Sequence, residues 1–132
     1  MKKRNVYETA RQALLPVLLD NTPAAHRLSA RLFRRYGIVS LVFGKPRLRD
    51  LFDPTSHTLR VPFGACDRVQ IEALIDLAQE SDGYLPALIP CSDRARELVT
   101  RHKTDLESYF LLLDSESIFE LSLLTENPSQ LT

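Results

Sequence analysis

Cysteine is scarce in this chain: Cys66 and Cys91 are the only two among 132 residues. Two cysteines cannot build a disulfide scaffold, and their separation is not a metal-ligand spacing. Glycine is limited to Gly37, Gly44, Gly64 and Gly83, all of which read as turn residues. Their positions match neither a dinucleotide fingerprint nor a phosphate-cradling loop, and no nucleophile elbow is present. His26, His57 and His102 lie far apart and have no ligand pattern around them. No apolar run approaches the roughly 20 residues of a membrane helix. Lys2, Lys3 and Arg4 imitate the basic start of a signal peptide, but Glu8 and Arg11 interrupt the stretch that should then be apolar. The expected location is the cytoplasm, with no membrane partner.

Net charge is absent as well, yet the halves differ. Residues 1–68 carry 13 Lys/Arg and 5 Asp/Glu, a balance of +8, and residues 69–132 carry 4 and 12, a balance of −8. The asymmetry reads either as a basic face for a partner or as solvated faces whose charges meet in the fold. Arg27, Arg31, Arg34 and Arg35, with Lys45, Arg47 and Arg49, form the basic stripe. No nucleic-acid motif or aromatic stacking platform accompanies it, and nucleic acid is not expected.

What is present is a strand–turn–helix. Leu14–Asp20 is apolar on both faces, as a central parallel strand must be. Asn21 or Thr22 can cap the helix that follows, and Pro23 suits its first turn. Ala25, Leu28, Ser29, Leu32, Phe33 and Tyr36 keep helical spacing over about Ala24–Tyr36, and Gly37 ends the helix. Further strands are expected over Ile38–Phe43, Thr58–Val61, Tyr84–Ile89 and Tyr109–Leu113, with a loop over Lys45–Pro54. Helices are expected from Asp67, as cap, to Glu80, then over Arg94–His102 and Ser115–Leu124. Residues 1–13 read as a helical lead-in and 125–132 as a frayed tail. The alternation predicts a single three-layer, Rossmann-like α/β domain with a parallel five-stranded sheet in the order 3-2-1-4-5.

In that order the topological switch point falls between strands one and four, where ligands bind in such sheets. The crevice would be lined by Asp20–His26 and Pro90–Asp93. Asp20, Asn21, Thr22, His26, Cys91, Ser92 and Asp93 are therefore the candidate substrate-binding residues. Two helix N-termini facing one cleft would suit a carboxylate or phosphate, although capping alone also accounts for Asn21, Thr22, Ser92 and Asp93. Cys91 near a helix start, with His26 across the crevice, raises a Cys–His pair. No third group is visible to orient the histidine, and a buried structural cysteine is the better reading.

Several segments resemble the start of ATP-grasp proteins of the carbamoyl-phosphate-synthase-like and D-aspartate-ligase-like kind. They are strand one with Asp20-Asn21-Thr22, the run Leu28–Ile38, Leu88-Ile89-Pro90-Cys91-Ser92-Asp93, His102–Leu106 with Tyr109-Phe110, and Leu113–Phe119. The resemblance covers about residues 14–124. It implies a pre-ATP-grasp domain, which packs against an ATP-grasp domain in cis or trans and forms the acceptor-substrate side of its active site. Complete family members use ATP and Mg²⁺ to activate a carboxylate as an acyl phosphate, which an amine attacks. This chain departs from the family in lacking a glycine near the first turn. It also stops at Thr132, where the family continues into nucleotide-binding lobes, and no counterparts of the lobes' lysines, Mg²⁺-binding carboxylates or phosphate loop are present. No cofactor is expected in this chain, and alone it is expected not to hydrolyse ATP. The alternative is a standalone interaction or small-anion-binding module, possible as a homodimer joined through its oppositely charged halves. A ligase domain should expose an apolar docking patch, expected on Ile118, Phe119, Leu121, Leu123 and Leu124.

Overall fold

The computed structural model describes residues 14–60, 66–121 and 124. The lead-in over 1–13 and the tail over 125–132 lie outside the described residues. Five strands, β1 (Leu14–Leu19), β2 (Ser40–Gly44), β3 (Ser56–Arg60), β4 (Leu85–Pro90) and β5 (Leu111–Leu112), form one sheet. Its order is β3-β2-β1-β4-β5, and every pairing is parallel. The helices are α1 (Pro23–Tyr36), α2 (Asp67–Glu80), α3 (Asp93–Arg101) and the short α4 (Lys103–Leu106). Two 3-10 turns, η1 (Leu48–Phe52) and η2 (Ser117–Glu120), complete the described elements.

The two-faced apolar character of the central strands separates two cores. Val17, Leu19, Phe43 and Leu88 pack with Ile71, Leu74, Ala95, Leu98 and Leu106 on the α2/α3/α4 side. Leu18, Val42, Ile89 and Cys91 pack with Ala25, Leu28, Leu32 and Ile118 on the α1 side. Each fully buried leucine contributes roughly 1.5–3 kcal/mol, so the alternation of Val17, Leu18 and Leu19 fixes which helix covers which face. Pro16 and Pro86 are tolerated inside central strands because of register. Pro16 pairs with Ala87 and Pro86 with Leu15, before the first β1–β2 pair at Val17 and the first β4–β5 pair at Ala87. Each proline therefore precedes its strand's second neighbour, where a missing N–H breaks no ladder.

Helix α1 begins and ends where its sequence signals lie. Thr22 accepts a hydrogen bond from the Ala25 N–H, Pro23 occupies the first turn, and Gly37 (φ 72°) closes the helix with its N–H on the Phe33 carbonyl. The other boundaries shift. Asp67 is the first residue of α2 rather than its cap, and Cys66 holds the cap position without a side-chain bond. The Asp67 carboxylate instead accepts from Arg101 Nε at 2.9 Å and pairs with His102 Nε2 at 3.1 Å. The expected loop 45–54 contains η1, and β3 starts at Ser56 rather than Thr58. β5 is shorter than expected because the Tyr109 and Phe110 N–H groups both return to the Leu106 carbonyl.

Among the described residues of 115–124 the expected helix does not form; the 3-10 turn η2 stands there instead. Asp114 accepts from the N–H groups of Glu116 and Ser117 through its side chain, a local turn that competes with helical bonding. Beyond η2 the backbone is extended at Leu121. Ile118 is buried, and Phe119, Leu121 and Leu124 pack against the α1-side core. Arg31 lies 3.9 Å and Arg35 5.7 Å from the Phe119 ring centre, and Arg31 reaches Glu116 at 4.0 Å. Part of the basic stripe is thus used internally to hold the acidic half, while Arg27 and Arg34 remain exposed.

Candidate functional site

The turns after β1 and β4 meet at the switch point and are stitched together. The Cys91 N–H donates to the Leu19 carbonyl at 2.9 Å, and the Thr22 hydroxyl donates to the Cys91 carbonyl at 2.9 Å. Thr22 and Ser92 each also cap a helix, accepting from Ala25 and Ala95 N–H groups. Asp20 takes a positive φ of 91°, a conformation costing an L residue roughly 1–3 kcal/mol. It is held there by its N–H on the Phe43 carbonyl at 2.9 Å and by a two-pronged bond from Arg94, with Nε at 2.9 Å and an Nη at 3.0 Å. Asp93 stands apart from this group, exposed and 3.6 Å from Arg96 of its own helix.

Asn21 and His26 face the other way, toward the β2–β3 connection. The Asn21 amide nitrogen donates to the Lys45 carbonyl at 2.7 Å and to Asp50 at 2.9 Å, which turns its oxygen to His26 Nε2 at 2.6 Å. His26 Nδ1 lies 3.3 Å from Asp53, and Nε2 also lies 3.4 Å from Asp50. Both ring nitrogens of His26 thus face oxygen atoms of Asn21, Asp50 and Asp53. Asp50 is buried and also accepts from the Arg47 N–H at 2.6 Å. Asp53 accepts from the Thr55 N–H and from the Thr55 and Ser56 hydroxyls. Of the seven expected residues, Asp20, Thr22, Cys91 and Ser92 come together, and Asn21 and His26 form an adjoining cluster. Arg94, Asp50, Asp53 and Gly44 were not anticipated. Asp50 and Asp53, spaced three apart between prolines, are the only part of that set with a sequence signal: paired turn carboxylates suited to bind backbone N–H groups.

The electrostatics follow from these partners. The Arg94 bond holds the Asp20 carboxyl below the usual carboxylate range; burial opposes it, and the Ser92 hydroxyl assists it. For Asp50, burial pushes upward, but bonds from the Arg47 N–H and Asn21 and the charges of His26 and Arg47 outweigh it. For Asp53, burial is likewise outweighed by the Thr55, Ser56 and His26 bonds. All three carboxyls titrate lower folded than unfolded. Their stabilisation is therefore complete above the unfolded value of about 4 and is lost as pH falls through the folded values. Urea midpoints measured from pH 5 to pH 3 should fall steeply, and Asp50→Asn should flatten part of that slope.

Burial pushes the Cys91 thiol up to about 12, the nearby Asp20 charge adding to the effect and Arg96 opposing it. Its Sγ points to the Ile89 carbonyl at 3.5 Å, and it belongs to the α1-side core. A Cys91–His26 pair is not formed, since His26 is engaged by Asn21 and Asp53. In the native protein iodoacetamide should modify the exposed Cys66 at least about tenfold faster than Cys91, read by peptide mass spectrometry; comparable rates would contradict the buried placement.

Beside the crevice, η1 turns its apolar side chains outward: Leu48 is 78%, Leu51 74% and Phe52 79% exposed. Of the apolar patch expected on residues 118–124, Ile118 is buried and Phe119, Leu121 and Leu124 are partly buried against the α1-side core; Leu123 lies outside the described residues. Among the described residues, no group of three or more His, Cys, Asp or Glu is arranged to hold a metal ion, and no helix is long and apolar enough to cross a membrane. The geometry brings together two capped turns, an Asp–Arg pair and a His–Asn–Asp network. No family model, curated protein or solved structure matches the chain.

Proposed function

We propose that this chain is the non-catalytic, substrate-side domain of an ATP-grasp carboxylate–amine ligase, working with nucleotide-binding lobes in cis or trans. The observation that carries the reading is where the family-like segments fall. Asp20-Asn21-Thr22 and Cys91-Ser92 sit on the two switch-point turns of a 3-2-1-4-5 sheet, the place where such sheets bind ligands. The exposed rim at Leu48, Leu51 and Phe52 adds the apolar surface that a domain built to dock should present. The described residues do not fit ATP or Mg²⁺: they hold neither a phosphate-cradling loop nor a metal cluster. In this reading the carboxylate-activating chemistry belongs to the lobes, and this domain positions the acceptor substrate.

The test is an assay of the native gene product for ATP-dependent formation of a hydroxamate from hydroxylamine and a carboxylic acid. Hydroxamate with matching ADP release from the native product, and none from residues 1–132 alone, supports the reading. Arg94→Ala should then raise KM for the acceptor more than it lowers kcat. A native product with neither hydroxamate nor ADP across a panel of amino and hydroxy acids leaves a standalone binding module.

A further inference from the structure

We propose that η1, with its Lys45 and Arg47 flanks, is the docking surface for a protein partner that presents an apolar patch rimmed by carboxylates. This deepens the ligase reading and rests on it for the partner's identity, but not for its chemistry. The charge argument lies in which side chains the turn turns inward. Its acidic residue and that of its C-cap are both engaged: Asp50 is buried on Asn21 and the Arg47 N–H, and Asp53, at the cap, is bound by Thr55, Ser56 and His26. Lys45 and Arg47 are exposed beside Leu48, Leu51 and Phe52. The outward face is therefore apolar and basic, although an aspartate lies within the turn and another caps it. Three large apolar side chains this exposed on one short turn are not covered by the described residues of the domain.

The turn is also rigidly indexed to the candidate site. Asn21, in the turn after β1, grips it at two points, the Lys45 carbonyl and the Asp50 carboxylate. A partner seated on η1 thus lies against the wall of the crevice and shields it from water. A second copy of the same face is the poorer occupant, because a two-fold contact sets Lys45 and Arg47 against their own copies. A lipid surface is poorer too, since the apolar area is one short turn rather than the long face of an interfacial helix.

The test places the photo-crosslinker p-benzoylphenylalanine at Leu51, and in a control at the exposed Gln79 of α2, in the native gene product in its own cells. The expected result is a Leu51 crosslink, absent from Gln79, to a protein segment outside residues 1–132 whose contact surface is apolar with Asp/Glu at its edge. Lys45→Glu combined with Arg47→Glu should lower its yield about tenfold. Should that double variant unfold, the purified crosslinking pair supplies the readout, with yield falling as salt rises. The proposal is overturned if Leu51 crosslinks only within residues 1–132 of its own or another copy, only to lipid, to a surface without carboxylates, or no more than Gln79 does. A salt-independent yield also overturns it. The two readings separate cleanly. A qualifying partner without ATP-dependent hydroxamate formation keeps the docking surface and sinks the ligase. Hydroxamate formation without the crosslink does the reverse.

Discussion

Alanine at position 44 is expected to destabilise the fold by about 2–3 kcal/mol, at the upper end for added volume in a packed site. A Cβ on Gly44 would stand 2.7 Å from the Asn21 nitrogen, 2.9 Å from its Cβ and 3.3 Å from its Cα. Two of these three atoms are backbone, so no side-chain rotation relieves the clash. Either the end of β2 or the turn after β1 must move, and both are pinned. The Asp20 N–H is bonded to the Phe43 carbonyl, and Asn21 is bonded to Lys45 and Asp50. Urea unfolding of Gly44→Ala gives the magnitude. Amide exchange at Asp20 gives the location, because the damage should appear first at that bond. Gly83→Ala is the informative contrast. Nothing lies within 4 Å of its added Cβ, but its φ of +83° is strained for alanine, so about 1 kcal/mol is expected there with no effect on the site. A Gly44→Ala protein with wild-type stability and unchanged exchange at Asp20 would show that this close approach is not a constraint.

Asp50→Ala should cost about 2–4 kcal/mol, because it strands donors that have lost their water. The Arg47 N–H, the Asn21 amide and the adjacent His26 ring all point at this one carboxylate. Its loss also releases η1, so amides of residues 47–53 should exchange faster while those of β1 and β4 hold. Asp50→Asn keeps an acceptor oxygen and should recover part of the stability. A change within about 0.5 kcal/mol for Asp50→Ala, the range of an ordinary surface substitution, would remove the network as the anchor of the turn. If the anchor holds, the same variant should weaken docking at Leu51 without touching an exposed side chain, since it blurs the position of the whole turn.

The layer architecture was legible because it rests on local signals that tertiary packing reinforces. Thr22, Pro23 and Gly37 mark α1 at both ends, and Val17, Leu18 and Leu19 declare a strand buried on both faces. The same patterning misled at the C-terminal end. Ile118, Phe119, Leu121 and Leu124 read as a helical stripe, but Asp114 and Ser117 bind the backbone locally. The apolar side chains then reach the α1 core from an irregular segment. Periodicity reports that side chains are buried; it does not report which backbone delivers them.

The candidate site divides along the same line. Fold class, strand order and the two capped turns that meet at the switch point were readable from local signals, because caps, turn residues and strand alternation act over a few residues. What those turns touch depends on the packed fold. Arg94 reaches Asp20 across 74 positions, and Asn21 reaches Asp50 across 29. These bonds depend on how two loops approach each other at the end of the sheet, a distance no local spacing encodes. Tertiary structure also reversed the meaning of the 45–54 segment. Burial and bonding take its aspartates inward and leave its leucines and phenylalanine in water, the opposite of what residue polarity alone dictates, because a buried carboxylate surrounded by fixed donors is held more firmly than an exposed one.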